Sequence, residues 1–217
     1  MATDPTIVKI CGLKTAESLA AALDAGADMV GFVFFGPSPR NVSLSEAAAL
    51  GRLVNGRARK VALTVDADDA LIDAISRAFA PDILQLHGKE TPERAAALSA
   101  RTGKQIMKAL GVSGRADLAA VSAFEAACDW LLLDAKPPKD ATRPGGNGQA
   151  FDWSILDGFA PPRPWLLSGG LNAGNVADAL ARTHAAGVDV SSGVESAPGV
   201  KDTAAIRAFV TAARALS

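Results

Sequence analysis

Eight short apolar runs alternate with helix-patterned stretches along this chain, one pair in about every 27 residues, and no other feature restricts the fold as strongly. The runs cover 7–11, 28–35, 60–65, 82–86, 104–110, 129–134, 165–168 and 188–191. Helix starts between them carry their own chemistry: Thr15, Asp68 and Asp202 as caps, Ser43 with Glu46 as a capping box, and Thr91 followed by Pro92. Further helices are predicted over 117–127, 153–156 and from Asn172 to His184. A strand followed by a crossover helix can only be rejoined by a parallel strand, so eight such units imply a parallel sheet. Runs two, four, six and eight open with aspartate (Asp28, Asp82, Asp129, Asp189) after a small or apolar pair, at spacings of 54, 47 and 60 residues, as duplicated strand-helix pairs would give. The competing doubly wound open sheet would more typically put a glycine-rich fingerprint after the first strand, and Cys11-Gly12-Leu13-Lys14 is not one. The expected architecture is α/β, a single-domain (β/α)8 TIM barrel spanning 1–217, with no linker-like tract dividing it.

Charge narrows the partners. Acidic and basic residues balance at 23 against 22, so no global field favours nucleic acid or an anionic membrane, and an anionic small molecule has to be held by local groups. No apolar run reaches the roughly 18 residues of a membrane span, and Met1-Ala2-Thr3-Asp4-Pro5 lacks the basic and apolar parts of a signal peptide. A cytoplasmic protein, monomer or homodimer, with Cys11 and Cys128 as free thiols, is expected.

In a barrel, the residues at strand carboxyl ends converge on one rim. Here they are Cys11, the Ser38-Pro39-Arg40 turn, His87, Lys108, Asp134, Gly169-Gly170 and Ser191-Ser192-Gly193. Glycines after the seventh strand and Ser-Ser-Gly after the eighth fit a phosphate site built from backbone N–H groups; otherwise they are a tight turn and caps. Cys11 is either a buried structural thiol or a thiolate base, its pKa lowered by Lys9 about 7 Å away on the same strand face. Asp134 directly follows Leu131-Leu132-Leu133, where a carboxylate is costly unless it is used or paired with Lys136 or Lys108. Arg40, behind two prolines, presents a guanidinium fork suited to a carboxylate, or is a solvated surface arginine. His87, counted among the substrate-binding candidates, is either a proton carrier or, as expected, a histidine hydrogen-bonded at the mouth, and Asp189 is either another strand-opening aspartate or a sugar-hydroxyl acceptor. The 136–149 segment, with three prolines and three glycines, has the length of a lid or a disordered loop.

Several segments taken together resemble the phosphoribosylanthranilate isomerase family: Lys9-Ile10-Cys11-Gly12-Leu13, Gly31-Phe32-Val33-Phe34, Ser38-Pro39-Arg40, Gln85-Leu86-His87-Gly88, Leu132-Leu133-Asp134, Phe151-Asp152-Trp153, Leu167-Ser168-Gly169-Gly170-Leu171-Asn172 and Asp189-Val190-Ser191-Ser192-Gly193-Val194-Glu195. The resemblance runs on to Pro198-Gly199-Val200-Lys201-Asp202, nearly the whole chain. It implies an Amadori rearrangement in tryptophan biosynthesis with no cofactor and no metal, acting on a phosphorylated, carboxylated small molecule. By that resemblance Asp134 is the general acid, Cys11 the general base and Arg40 the holder of the anthranilate carboxylate. Gly170, Ser192 and Gly193 form the phosphate site, and Asp189 contacts a sugar hydroxyl. One departure is Gly145-Gly146-Asn147-Gly148, with asparagine where the family leads one to expect threonine or serine. The chemistry also requires a carboxyl group kept protonated by burial and a thiol ionised by a neighbouring cation.

Two other enzyme readings share the fold: a phosphosugar epimerase, which needs a metal cluster of histidines and aspartates, and an aldolase using Lys108 or Lys136 as a Schiff-base amine. A phosphate-ligand binding module is the reading from another class; it would keep the glycines and dispense with Cys11 and Asp134.

Overall fold

The computed structural model describes residues 6–136, 145 and 151–215. Eight parallel strands close into a barrel in chain order: β1 (Ile7–Cys11), β2 (Met29–Phe34), β3 (Arg59–Thr64), β4 (Ile83–Leu86), β5 (Gln105–Val112), β6 (Trp130–Ala135), β7 (Trp165–Leu167) and β8 (Gly187–Val190). Closure comes from β8 pairing with β1, Val8 opposite Val188 and Ile10 opposite Val190. Around it lie α1 (Ala16–Asp24), α2 (Leu44–Val54), α3 (Asp69–Phe79), α4 (Pro92–Thr102), α5 (Val121–Phe124), α6 (Val176–Thr183) and α7 (Thr203–Arg214). Among the described residues no helix is long and apolar enough to cross a membrane.

Side-chain alternation along the strands divides the core in two. Outward residues such as Phe32, Leu84, Ile106, Leu131, Leu133 and Val188 are buried beneath the helices. Inward ones fill the barrel in tiers: Met29, Val61, Ile83, Met107, Leu132 and Leu166 form an apolar plug, and Cys11, Val33 and Leu63 form the tier nearest the mouth. Between them sit polar side chains, Lys9, Gln85 and Asp189, all buried. The plug is worth roughly 1.5–3 kcal/mol for each large side chain and gives the mouth a rigid floor.

Helix starts follow the sequence signals. Ser43 and Glu46 form a reciprocal capping box, Thr15, Asp68 and Thr91 each accept from a first-turn N–H, and Asp202 accepts from Ala204 and Ala205. Four expectations change. The helix predicted over 117–127 is a 3-10 segment, Arg115–Ala120, running into the single turn of α5. There Asp117 gathers the Ser113 and Gly114 N–H groups and the Ser113 hydroxyl, tightening the chain into the shorter-pitch turn. The helix expected from Asn172 begins only at Val176, because the Asn172 N–H is tied to the Asn175 side chain in a preceding turn. A two-stranded hairpin that the sequence reading lacked, β9 (Glu195–Ala197) with β10 (Val200–Lys201), follows the eighth strand.

The fourth change concerns the aspartate repeat. Asp28, Asp82 and Asp129 each stand one residue before their strand and accept the N–H of Val8, Lys60 and Ile106 on the preceding one, at 2.7, 2.7 and 2.9 Å. They are clamps at the amino ends of neighbouring strands. Asp189 opens nothing: it is the third residue of β8, opposite Lys9, inside the barrel. Of the 136–149 segment, only Lys136 and Gly145 belong to the described residues, so the lid expectation and Asn147 lie outside them.

Candidate active site

The carboxyl ends of the strands open on a pocket of about 770 Å³, counting the solvent at its mouth. Cys11, Arg40, His87, Asp134, Gly170, Asp189, Ser192 and Gly193 all lie on its wall. Lys108, placed on the rim by sequence, points elsewhere: its ammonium is 2.7 Å from the Gly88 carbonyl and 2.8 Å from Glu90. Cys128 is packed in the core between barrel and helices, and burial pushes its thiol up to about 11.

Cys11 sits beside Gly31 of β2, where a Cβ would come within 3.0 Å of the sulfur; glycine makes the room the thiol occupies. Lys9 lies beneath it, within hydrogen-bonding reach of the thiol, and is itself held by Asp189 at 2.6 Å, with Ser168 donating to the other Asp189 oxygen at 3.2 Å. Burial drives the Cys11 pKa above its ordinary 9.0, and the Lys9 and Lys201 cations offset only part of that. This corrects the expectation of a lowered value, which counted the cation and not the loss of water. Lys9 stays an ammonium: burial works against its charge, but the Asp189 carboxylate and the adjoining Cys11 sulfur leave its pKa raised.

Across the mouth, Asp134 is 5% exposed and paired with neither lysine that sequence offered, since Lys136 bonds Asp117 at 3.1 Å and Lys108 bonds Glu90. One Asp134 oxygen accepts from the Ala135 N–H at 2.9 Å, and the other lies 3.4 Å from His87 Nε2. His87 is steadied from behind by Gln85, 3.2 Å from Nδ1, so it is hydrogen-bonded as expected. Gly145 lies over this pair; a Cβ there would fall 2.6 Å from Asp134 Oδ2.

At the far side, Gly169 and Gly170 follow β7 at φ +91° and +63°, in the left-handed region, and Gly193 brings its Cα so close to the Leu171 carbonyl that a Cβ would be 1.8 Å from the oxygen. Only bare backbone fits here, so its N–H groups can come within hydrogen-bonding distance of an anion's oxygens. Arg40 is not a solvated surface arginine. It is 4% exposed, with Nε and Nη2 bonded to the two oxygens of Glu195 at 2.7 and 2.8 Å. Lys201, on the hairpin, is 2.8 Å from Glu195 and 2.8 Å from the Ser191 carbonyl.

Sequence reasoning missed Glu195, Lys201, Gln85 and Ser168 as parts of the site. Glu195 stands in a quoted motif, but its partner Arg40 is 155 residues away and no local pattern joins them. Gln85 had a usable signal: a polar residue at an inward strand position between Ile83 and His87 must find a polar neighbour. Among the described residues no group of three or more His, Cys, Asp or Glu is placed to hold a metal, the arrangement an epimerase reading needs.

Fold and site together define a (β/α)8-barrel enzyme whose chemistry lies at the carboxyl ends of its strands. The family model described as N-(5'-phosphoribosyl)anthranilate isomerase matches residues 8–212, and the chain belongs to that family. The N-(5'-phosphoribosyl)anthranilate isomerase of Azorhizobium caulinodans is 62% identical over 208 residues, 96% of this chain and 91% of that protein. The crystal structure of phosphoribosyl anthranilate isomerase from Thermotoga maritima superposes with a TM-score of 0.87 at 35% identity, covering 96% of this chain and 98% of the other. A crystal structure of the isomerase in complex with reduced 1-(o-carboxyphenylamino)-1-deoxyribulose 5-phosphate gives a TM-score of 0.84 at 32% identity, with 96% and 98% covered.

Proposed function

We propose that this protein isomerises N-(5-phosphoribosyl)anthranilate to 1-(2-carboxyphenylamino)-1-deoxyribulose 5-phosphate, a step of tryptophan biosynthesis, and that the whole of 1–217 is one barrel domain devoted to it. The observation that carries the reading is one pocket that a thiol, a carboxyl group, an arginine and two glycine clusters share, in a chain of this family. Asp134 gives its proton to the furanose ring oxygen as the C1–O bond breaks, leaving an open-chain iminium ion. Cys11, as thiolate, takes the proton from C2, and the electron pair moves to neutralise the iminium as an enolamine, which tautomerises to the ketone. Lys9, held as an ammonium by Asp189, stabilises the thiolate formed in the pocket. Arg40 takes the anthranilate carboxylate, the backbone at Gly170, Ser192 and Gly193 takes the phosphate, and Asp189 meets a sugar hydroxyl. His87 keeps the Asp134 carboxyl in place.

The aldolase reading loses Lys108, whose ammonium is turned to Glu90 outside the pocket, and Lys136, on the pocket wall, is drawn to Asp117 at 3.1 Å. The test follows the fluorescence of phosphoribosylanthranilate as it is consumed by purified protein. Cys11→Ala and Asp134→Asn are each expected to cut kcat by at least about a hundredfold while keeping affinity for the reduced product analogue. Near-normal turnover in either variant refutes its assigned role.

A further inference from the structure

Arg40 is held by more contacts than a solvent-facing clamp would need. Glu195 takes the Nε–Nη2 edge of its guanidinium in two parallel bonds of 2.7 and 2.8 Å, and the two side chains are 4% and 3% exposed. The aliphatic part crosses Gly12, whose φ is +78° and where a Cβ would stand 2.6 Å from Arg40 Cδ. The turn of the β9–β10 hairpin closes the third side: Gly199, at φ +80°, brings its Cα so near the Pro39 carbonyl that a Cβ would lie 2.5 Å from the oxygen. Glu195 and Lys201 are register partners across that hairpin.

Lys201 supplies the charge. Its ammonium meets Glu195 Oε1 at 2.8 Å, the Ser191 carbonyl at 2.8 Å and the Ser191 hydroxyl at 3.2 Å. Three acceptors around one nitrogen suit an ammonium with three N–H bonds; a neutral amine has only two. Arg40 and Glu195 alone form a neutral pair with no net pull on an anion, whereas with Lys201 the cluster carries one positive charge. A buried cluster of this kind often adds nothing to stability over an apolar replacement, so stability alone does not account for it.

We infer that Glu195 and Lys201 set the enzyme's preference for a carboxylated aryl group: Glu195 fixes the plane of the Arg40 guanidinium so that a carboxylate meets it in one pose, and Lys201 keeps the cluster cationic. Because Lys201 also grips Ser191, next to Ser192 and Gly193, the hairpin fixes the distance between the carboxylate end and the phosphate end of the ligand. Both are positioning residues acting through Arg40, and the inference rests on the carboxylate role given to Arg40 above.

Charge and position predict opposite signs. Glu195→Gln raises the cluster from one positive charge to two, so charge alone would strengthen the preference. Glutamine, with one acceptor oxygen, cannot take the two guanidinium bonds in parallel on separate oxygens, so lost positioning weakens it. The experiment is calorimetric titration of the full chain with reduced 1-(o-carboxyphenylamino)-1-deoxyribulose 5-phosphate and with its phenylamino counterpart lacking the carboxylate, read as the ratio of the two Kd values. That ratio does not depend on the fraction of protein that is folded. The parent chain is expected to favour the carboxylated compound at least about tenfold, and Glu195→Gln to lower the ratio at least about fivefold. An unchanged or larger ratio overturns the inference. If Arg40→Ala leaves the ratio intact, the carboxylate role of Arg40 itself fails; if Arg40→Ala abolishes it and Glu195→Gln does not, only the positioning by Glu195 fails. Should Glu195→Gln give no folded protein, Lys201→Met carries the same reading, with a fall in the ratio expected and an unchanged ratio overturning the inference.

Discussion

At the scale of single residues, the Cys11 thiol is the group whose protonation is most at odds with its work. A base must lose its proton, yet burial holds this one above the ordinary 9.0, with Lys9 and Lys201 pulling the other way. The neutral thiol therefore dominates at neutral pH, and the rate constant for alkylation by iodoacetamide in a Cys128→Ala background should still be climbing at pH 9. Lys9→Met removes the cation nearest the sulfur and leaves the negative charge of Asp189 in place, so the inflection should move to higher pH, not lower. An inflection near neutrality, or a downward move in that variant, would contradict the account of burial outweighing the lysine.

At the scale of elements, the barrel is built from strand pairs tied at their amino ends by aspartates, and the sequence repeat conceals two jobs. Asp129 accepts the Ile106 N–H at 2.9 Å, a bond between β5 and the loop entering β6. Removing it strands a partly buried backbone donor, so Asp129→Ala should cost about 1–3 kcal/mol in urea unfolding with turnover of the folded enzyme kept. Asp189→Ala should act the other way, striking turnover first, because its partners are Lys9 and Ser168 inside the barrel. Equal effects of the two changes on stability and rate would mean that the fourth aspartate is a clamp after all.

For the whole molecule, closure joins the two ends of the chain. Arg214, the last residue of α7, donates to the Thr6 carbonyl, to the Gly26 carbonyl at 3.0 Å and to Asp28 at 2.7 Å, so the final helix is fastened to the residue that enters the first strand and to the loop before the second. These bonds stand beside the β1–β8 seam, where the first strand of the barrel pairs with its eighth. Arg214→Ala is expected to lower stability by about 1–2 kcal/mol, which for a chain of this length is a fall in Tm of roughly 2–8 °C by calorimetry. No shift in Tm would show that the seam is held by packing of α7 alone, through Ile206, Phe209 and Val210.

Local physics made the strands, the helix starts and the rim legible from the sequence: period-two burial, capping by Ser43, Thr91 and Asp202, and the rule that Cys11, Asp134 and Gly170 at strand ends must share one face. Such signals sit within a few residues of one another, so one chain suffices to read them. Tertiary structure alone decided the contacts across the barrel: Glu195 against Arg40, His87 rather than a lysine near Asp134, and Asp189 beneath Cys11 instead of at a strand entrance. It also decided the direction of the Cys11 shift, because desolvation depends on everything packed around the sulfur, while the neighbouring cation is visible two residues away in the sequence.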